Sequence, residues 1–438
     1  MDDSRTPAIA SAGTPAAAVP VATVADHLGD VIDFLSNFRN SVDLPSRQNL
    51  IGAMRQVQQE AAARGLQAPR SVPQLADALK TLPSCAMLAA AIGVREIPGF
   101  APYEAGDPKW IESVLNYFHT GNNRFPFPTH QARNVDPVKK LVADPEIRIA
   151  IGGDSGNSLP AAIAVRQQMD AKQPHYTIHL GDVYYSGIDS EEQDFLRTWP
   201  RASAGNYTLN SNHEMYCGGL GYFGTLLGDA LFEAQQGLSY FALTNDHWLI
   251  VGLDSAYFAF GQSLLYEEGA ICEPDPAREP HGMVQVEWLR ELLRQHAGKR
   301  VILLTHHDGF DVNPGLGSVC RKPLYQRVSG ELCGVHDWWW YWGHVHAAIA
   351  YRRLFFDNNS SMSARCVGHG AIPFEPFPRD LAALGDREVR LEWAETDLAR
   401  NGGDERRAPN GFLLLTLKGA ELREEFYDEL GRQRWSNF

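Results

Sequence analysis

The sequence of 438 residues predicts an α/β protein whose N-terminal part is helical and whose larger C-terminal part alternates strands and helices. From residue 147 onward, short apolar runs typical of strands alternate with segments whose apolar residues recur at helical spacing. Between residues 22 and 95, only the helical spacing occurs. We therefore expect an α/β domain over residues 146–438, preceded by a small all-helical module.

Three segments precede the predicted α/β domain. Residues 1–21 are rich in Ala, Pro and Thr, which predicts a flexible lead. Residues 22–95 carry three apolar stripes at helical spacing and predict the helical module. Residues 96–145 predict a connecting segment with one helix at 110–118. The helical module either supports the α/β domain or binds a protein partner, and the sequence leaves both roles open.

The predicted elements of the α/β domain begin with a βαβ unit, which implies parallel strands with loops at their carboxyl ends. In chain order we expect a strand at 147–151, a helix at 159–169, strands at 176–180 and 207–209, a hairpin of 238–243 with 248–253, strands at 301–304 and 338–342, and a closing hairpin of 412–417 with 422–427. The tryptophans of strand 338–342 alternate, which favours core packing over a base-stacking role. The charged stretch at 386–407 predicts a solvated insertion.

Composition excludes several classes of function. The formal net charge of −14 argues against nucleic acid as the main partner. No apolar stretch is long enough for a membrane span, and the N-terminus lacks the pattern of a secretory signal. The six cysteines lie far apart in the sequence and include no CxxC pair, which indicates reduced thiols. We therefore expect a cytoplasmic protein, with export by a specialised route left open.

Five short motifs, in one order along the chain, indicate the chemistry. They are Asp154-Ser155-Gly156, Gly181-Asp182-Val183-Tyr184-Tyr185, Asn212-His213-Glu214, His306-His307 and Gly343-His344-Val345-His346. Each follows a predicted strand, so one sheet edge can present all of them to one cleft. Carboxylate and amide oxygens mixed with imidazoles suit a pair of cations of the kind that hydrolyses phosphate esters. Asp182 is the natural bridge, since a carboxylate has one oxygen for each cation.

As a set, these motifs resemble those of the calcineurin-like metallophosphoesterases. Asp154-x-Gly156 together with Gly181-Asp182-x-x-Tyr185 resembles the purple acid phosphatase branch. The resemblance covers about residues 147–430 and implies a two-sheet αββα sandwich with two metal ions per chain, Fe paired with Fe, Zn or Mn. It implies one metal with the ligands Asp154, Asp182, Tyr185 and His346. It implies a second metal with the ligands Asp182, Asn212, His306 and His344.

The same resemblance implies that a metal-activated water attacks phosphorus in a small phosphorylated substrate. His213 is the candidate general acid, with orientation of the metal ligands as its alternative role. His307, Tyr184 and Tyr216 are candidate substrate contacts. Ser211 stands where the family usually has Gly, so we expect a different local turn there.

Three alternatives remain open at the sequence level. The substrates are expected to be phosphomonoesters, with diesters such as cyclic nucleotides as the alternative. A catalytically silent binding scaffold would have lost metal ligands, and every ligand is present here. A delivered effector or toxin would use the N-terminal module for its delivery.

Overall fold

The computed structural model describes residues 55–56, 58–64, 124–156, 159–261, 267–273, 283–313, 318–372, 374–381, 384–385, 388–399 and 407–438. The predicted flexible lead and the predicted helix at 110–118 lie outside the described residues. Of the predicted helical module, the structure describes 55–56 and 58–64, and residues 58–63 are helical. The domain boundaries proposed for this part of the chain stay predictions.

From residue 124 onward, the described residues contain six α-helices and nineteen strands. The helices are α1 (His130–Arg133), α2 (Pro160–Ala171), α3 (Asp189–Thr198), α4 (Asn212–Met215), α5 (Val284–Gln295) and α6 (Pro323–Glu331). The first ten strands are β1 (Val138–Lys140), β2 (Ile147–Gly152), β3 (Tyr176–His179), β4 (Gly205–Thr208), β5 (Phe241–Thr244), β6 (Trp248–Gly252), β7 (Phe260–Gly261), β8 (Glu267–Glu268), β9 (Arg300–Thr305) and β10 (Phe310–Asn313). The others are β11 (Ser318–Arg321), β12 (Asp337–Trp342), β13 (Ala348–Tyr351), β14 (Leu354–Phe355), β15 (Ser361–Val367), β16 (Leu391–Ala394), β17 (Gly411–Lys418), β18 (Glu421–Asp428) and β19 (Gln433–Ser436).

Two large sheets organise these strands. The nine-stranded sheet has the order β1-β5-β6-β9-β12-β15-β13-β16, with β14 paired to β15, and its centre from β6 to β15 is parallel. The six-stranded sheet has the order β19-β18-β17-β2-β3-β4, and β2, β3 and β4 are parallel. Because parallel strands end at the same edge, the loops after β2, β3 and β4 lie together, as do those after β9 and β12.

Three apolar layers hold the two sheets and their helices together. One layer lies between the sheets and combines residues such as Ile149 and Leu415 with Ile302 and Leu304. A second layer packs α5 and α6 on the outer face of the nine-stranded sheet. A third packs α2 and α3 on the outer face of the six-stranded sheet. This order of helices, sheet, sheet and helices confirms the αββα sandwich that the resemblance implied.

The two predicted hairpins and the core packing of the tryptophan strand are confirmed. The pairs β5–β6 and β17–β18 are antiparallel, as expected for the two hairpins. Trp338, Trp340 and Trp342 share the helix-covered core of the nine-stranded sheet. The five cysteines in the described part are free. Among the described residues, no helix is both long and apolar enough to cross a bilayer.

Two local predictions are wrong. The connecting segment contributes β1, which pairs in parallel with β5 and forms an edge of the larger sheet. The run Val-Lys-Lys is too short and too polar to show a strand pattern. The charged stretch at 386–407 is not only solvated, because β16 pairs with β13 and Arg407 is buried in an ion pair with Glu429. This charged stretch therefore contains one strand and one residue of a buried ion pair, which its composition did not predict.

Candidate metal centre

The predicted metal ligands come from both sheets and meet where the strands end. Asp154 follows β2, Asp182 follows β3, and Asn212 opens α4 just after β4. The larger sheet contributes His306 after β9, and His344 and His346 after β12. The side chains of Asp154, Asp182 and His306 each bring a ligand atom within 4.8 Å of the others. The sandwich thus brings together residues that are nearly two hundred positions apart in the sequence.

Three of these ligand residues have a left-handed backbone. The φ angles are 54° at Asp154, 67° at Asp182 and 62° at His344. Residues other than glycine rarely adopt this conformation, and such strained positions concentrate at functional sites. The surrounding packing therefore holds each of the three side chains in a set direction.

Neighbouring glycines make room for this arrangement. A Cβ atom on Gly181, where φ is 101°, would lie 2.8 Å from Nδ1 of His306. A Cβ atom on Gly343 would lie 2.5 Å from Oδ2 of Asp154. Both distances are shorter than real Cβ contacts, so any larger residue would displace a predicted ligand.

One half of the centre is rich in nitrogen donors. Nε2 of His306 lies 2.9 Å from Oδ1 of Asn212 and 3.3 Å from Oδ1 of Asp182. Nδ1 of His344 lies 3.2 Å from the same Asn212 oxygen. Nδ1 of His306 lies 2.8 Å from the Leu180 carbonyl, to which it donates in the tautomer that leaves Nε2 able to bind a cation. Asn212, His306, His344 and Asp182 therefore converge as the predicted ligands of one metal.

The other half of the centre contains Asp154 and His346. Oδ2 of Asp154 accepts a hydrogen bond from the His344 amide at 3.0 Å. Its Oδ1 is buried without a hydrogen-bond partner and lies 3.5 Å from Nε2 of His346. A buried carboxylate oxygen without a protein partner fits a position that a cation completes. The His346 side chain is one-third exposed, with 33% of its surface accessible, so the centre opens to solvent at this end.

The tyrosine at this end of the centre is Tyr184. Its hydroxyl lies 2.5 Å from Nε2 of His346 and is hydrogen-bonded to the Asp182 side chain. The motif spacing instead predicted Tyr185 as the ligand and Tyr184 as a substrate contact. The backbone carbonyl oxygen of Tyr185 contacts His213 and lies 2.8 Å from its Nδ1. The left-handed backbone at Tyr184, with φ of 67°, sets the side-chain direction, and residue spacing does not reveal it.

Two supporting residues were not assigned a role from sequence. The Ser211 hydroxyl donates to Oδ1 of Asp182, and the Ser211 hydroxyl oxygen accepts from the His213 amide at 3.1 Å. Ser211 has an extended backbone, with φ of −136°, so glycine is not needed there and the side chain is used as a donor. The Glu214 carboxylate accepts from the amides of Val183 at 2.6 Å and Asp182 at 3.2 Å. These bonds secure the Asp182 loop against α4.

The remaining predicted residues are buried beside the centre. His213 is 4% exposed, and its ring stacks on Tyr184 with 4.1 Å between the ring centroids. Tyr216 is 2% exposed, and its hydroxyl accepts from Nδ2 of Asn212 at 3.0 Å. This contact orients the Asn212 amide, which differs from the substrate contact predicted for Tyr216. His307 is fully buried next to His344. His179 is the expected core histidine, bonded to Ser155 and Thr208.

The carboxyl groups at the centre have strongly shifted pKa values. Burial, and then the charge of Asp182, raise the pKa of Asp154 well above its usual value. Burial also raises the pKa of Asp182. The charges that His306 and His213 carry when protonated outweigh this effect and hold the pKa of Asp182 below its usual value. Burial lowers the pKa of His306, which keeps its imidazole neutral at neutral pH. Two close carboxyl groups resist carrying two negative charges together, and a bound cation would offset this repulsion.

Comparison with known proteins supports one family. Residues 147–348 match the sequence profile of the calcineurin-like phosphoesterases. A search of curated protein sequences finds no match.

Solved structures with a similar chain path are remote in sequence. One is GAP50, titled the anchor in the inner membrane complex of Plasmodium, at 11% identity and a TM-score of 0.42, covering 67% of this chain and 88% of that one. Another is the purple acid phosphatase PPD1 from yellow lupin seeds, at 16% identity and a TM-score of 0.45. That match covers 66% of this chain and spans 53% of the lupin protein. A putative 5′-nucleotidase from Staphylococcus aureus matches at 12% identity and a TM-score of 0.26, covering 58% and 55% of the two chains. These likenesses are too remote to carry an argument about activity.

Proposed function

Because residues 147–348 belong to the calcineurin-like phosphoesterase family, we propose that this chain is a dinuclear metal-dependent hydrolase of phosphate esters. The observation that carries the proposal is the convergence of carboxylate, amide and imidazole donors from the ends of five strands. In particular, Oδ1 of Asn212 lies within 3.2 Å of ligand nitrogens on both His306 and His344. No single element of the fold could supply this donor set.

The donors fit two cations that share Asp182. Asn212, His306 and His344 would hold one cation on one side of Asp182. Asp154, His346 and the Tyr184 phenol would hold the other, and a phenolate ligand favours a ferric ion there. When bound, such a pair lowers the pKa of water, polarises the phosphoryl oxygens and aligns the attacking and leaving oxygens.

His213 is the proposed general acid for the leaving oxygen. Its Nδ1 lies 2.8 Å from the Tyr185 carbonyl, and its ring is held against Tyr184. With Nδ1 bonded to a carbonyl, a proton for the substrate has to leave from Nε2. Burial lowers the pKa of His213 while the Asp182 charge opposes that effect, so the protonated form is favoured toward acidic pH. Phosphomonoesters are the substrates proposed first, and diesters, whose alkoxide leaving groups need the same proton, are the alternative.

Two substrates and one metal measurement test the role of His213. His213→Ala should slow hydrolysis of an alkyl phosphate by about 10²–10⁴-fold, because an alkoxide leaves poorly without a proton. The loss should be much smaller with an activated aryl phosphate, whose leaving group departs as the anion. His336→Ala is the matched control, because the His336 side chain is 79% exposed just before β12, at the opposite end of that strand from the centre.

Other outcomes of the same experiment contradict parts of the proposal. Equal losses on both substrates with a depleted metal content would mean that His213 only orients the ligands. A diester hydrolysed faster than any monoester would move the substrate class to diesters such as cyclic nucleotides. Two bound cations without turnover of either ester class would identify a binding scaffold and refute the enzymatic proposal.

A further inference from the structure

A third imidazole lies beside the nitrogen-rich half of the centre. His306, His307 and His344 each bring one ligand nitrogen within 4.8 Å of the other two. Their ring centroids form a triangle with sides of 4.6 Å (His307–His344), 5.0 Å (His306–His307) and 5.2 Å (His306–His344). The ligand set implied by the family resemblance uses only two of these three rings.

The His307 ring has one satisfied and one unsatisfied nitrogen. Its Nδ1 lies 3.0 Å from the Ser255 hydroxyl. Its Nε2 is buried and has no hydrogen-bond partner. The whole residue is 0% exposed, so water from the bulk does not satisfy this atom. A buried polar atom without a partner in a native site calls for a bound group.

The surroundings of His307 hold its ring in one orientation. The Ser255 hydroxyl oxygen accepts from the His307 amide at 3.0 Å, in addition to its contact with Nδ1. A Cβ atom on Gly269 would lie 2.4 Å from Cβ of His307, so this loop presses directly against the side chain. When Nδ1 carries the ring proton and donates it to Ser255, Nε2 has a free lone pair. A histidine that binds a metal is usually anchored through its other ring nitrogen in this way.

We propose that Nε2 of His307 is a third imidazole ligand of the cation held by Asn212, His306 and His344. This inference rests on the proposed dinuclear function and adds one protein donor to it. Three imidazoles with an amide oxygen and a shared carboxylate favour cations such as Zn²⁺ over hard cations such as Mg²⁺. The His307 position therefore sets both the affinity and the selectivity of this half of the centre.

Zinc affinity of the 438-residue chain tests the assignment. Metal-free protein is equilibrated with Zn²⁺ buffered over a range of free concentrations, and bound zinc is counted by elemental analysis. The unsubstituted protein should bind two cations, and His307→Gln should weaken one of them by at least about tenfold, while the other is unchanged. His130→Gln is the matched control, because His130 bonds Tyr240 outside the centre.

A second variant covers the case in which His307→Gln fails to fold. Ser255→Ala keeps the His307 ring and removes its anchor, so the same cation should be weakened to a smaller extent. Cobalt substitution gives an independent readout, since loss of one nitrogen ligand changes the visible ligand-field spectrum of only one of the two ions.

The outcomes separate this inference from the proposed function. If the unsubstituted protein binds no cations, both are overturned. If it binds two and His307→Gln binds both with unchanged affinity, only the His307 assignment is overturned. Inorganic phosphate then identifies the actual role, because weaker inhibition by phosphate in that variant would mark His307 as a substrate contact. Unchanged inhibition would mark His307 as a core residue.

Discussion

A buried ion pair links the two sheets. Arg365 on β15 donates from Nε and Nη2 to the Glu424 carboxylate on β18, both at 2.9 Å. The Tyr341 hydroxyl, from β12, donates to the same carboxylate at 2.9 Å. Arg365 and Glu424 are 4% and 1% exposed. The pair therefore connects the sheet that supplies the histidines with the sheet that supplies the carboxylates.

Glu424→Gln should destabilise the protein strongly. The substitution leaves the Arg365 charge buried without a counter-charge, and breaking a buried pair in this way costs about 3–5 kcal/mol. One kcal/mol corresponds to roughly 2–4 °C in melting temperature for a domain of 150–250 residues, and less for larger ones. With about 2 °C per kcal/mol, the value for the larger of these domains, a loss of about 3–5 kcal/mol lowers the melting temperature by about 6–10 °C.

The measurement is thermal unfolding followed by circular dichroism at fixed metal concentration. Glu421→Gln, at an exposed position of the same strand, is the matched control and should shift the midpoint by no more than about 1–2 °C. The double variant Arg365→Met, Glu424→Leu should recover most of the loss, because an apolar pair removes both charges. If Glu424→Gln melts within about 1 °C of the control, the reasoning from burial and hydrogen bonding is refuted.

Three further predictions concern the centre and its surroundings. Asp182→Asn should lower the content of both cations and nearly abolish turnover, and elemental analysis that still finds two per chain would rule out a shared carboxylate. Iron-loaded, oxidised protein should show a phenolate charge-transfer band that Tyr184→Phe bleaches; bleaching by Tyr185→Phe instead would restore the motif-based assignment. Burial lowers the pKa of His369 from 6.5 to about 3, so the unfolded chain takes up a proton that the folded protein does not. The resulting stability is complete above pH 6.5 and falls as the pH drops toward 3, by about 2 kcal/mol between pH 6 and 4.5. His369→Phe should flatten that slope in urea titrations, and an unchanged slope would contradict the prediction.

Local pattern was sufficient for the scaffold and for the positions of most candidate ligands. Apolar runs of the length of a β-strand predicted β2, β3, β9 and β12. A polar residue directly after a parallel strand has to lie at the edge of the sheet where the strands end. Asp154, Asp182, His306 and His344 were found in this way. Their placement follows from chain direction and strand length, which are encoded over a few neighbouring residues.

Short or charged elements were missed because local pattern does not distinguish them from loops. Strand β1 has three residues, two of them lysine, and it exists through its pairing with β5. Strand β16 lies in a stretch dense with charge and is held by β13. In both strands, hydrogen bonds to a distant partner override weak local propensity.

The identity of the groups that touch within the centre depends on tertiary structure alone. Tyr184 and Tyr185 are adjacent and chemically identical, and only the left-handed backbone at Tyr184 determines which hydroxyl reaches His346. Ser211 donates to Asp182 because two loops that are far apart in sequence pack against each other. The chemistry of a residue can be read from the chain, but its distance to a partner is set by how two separately formed sheets are packed together.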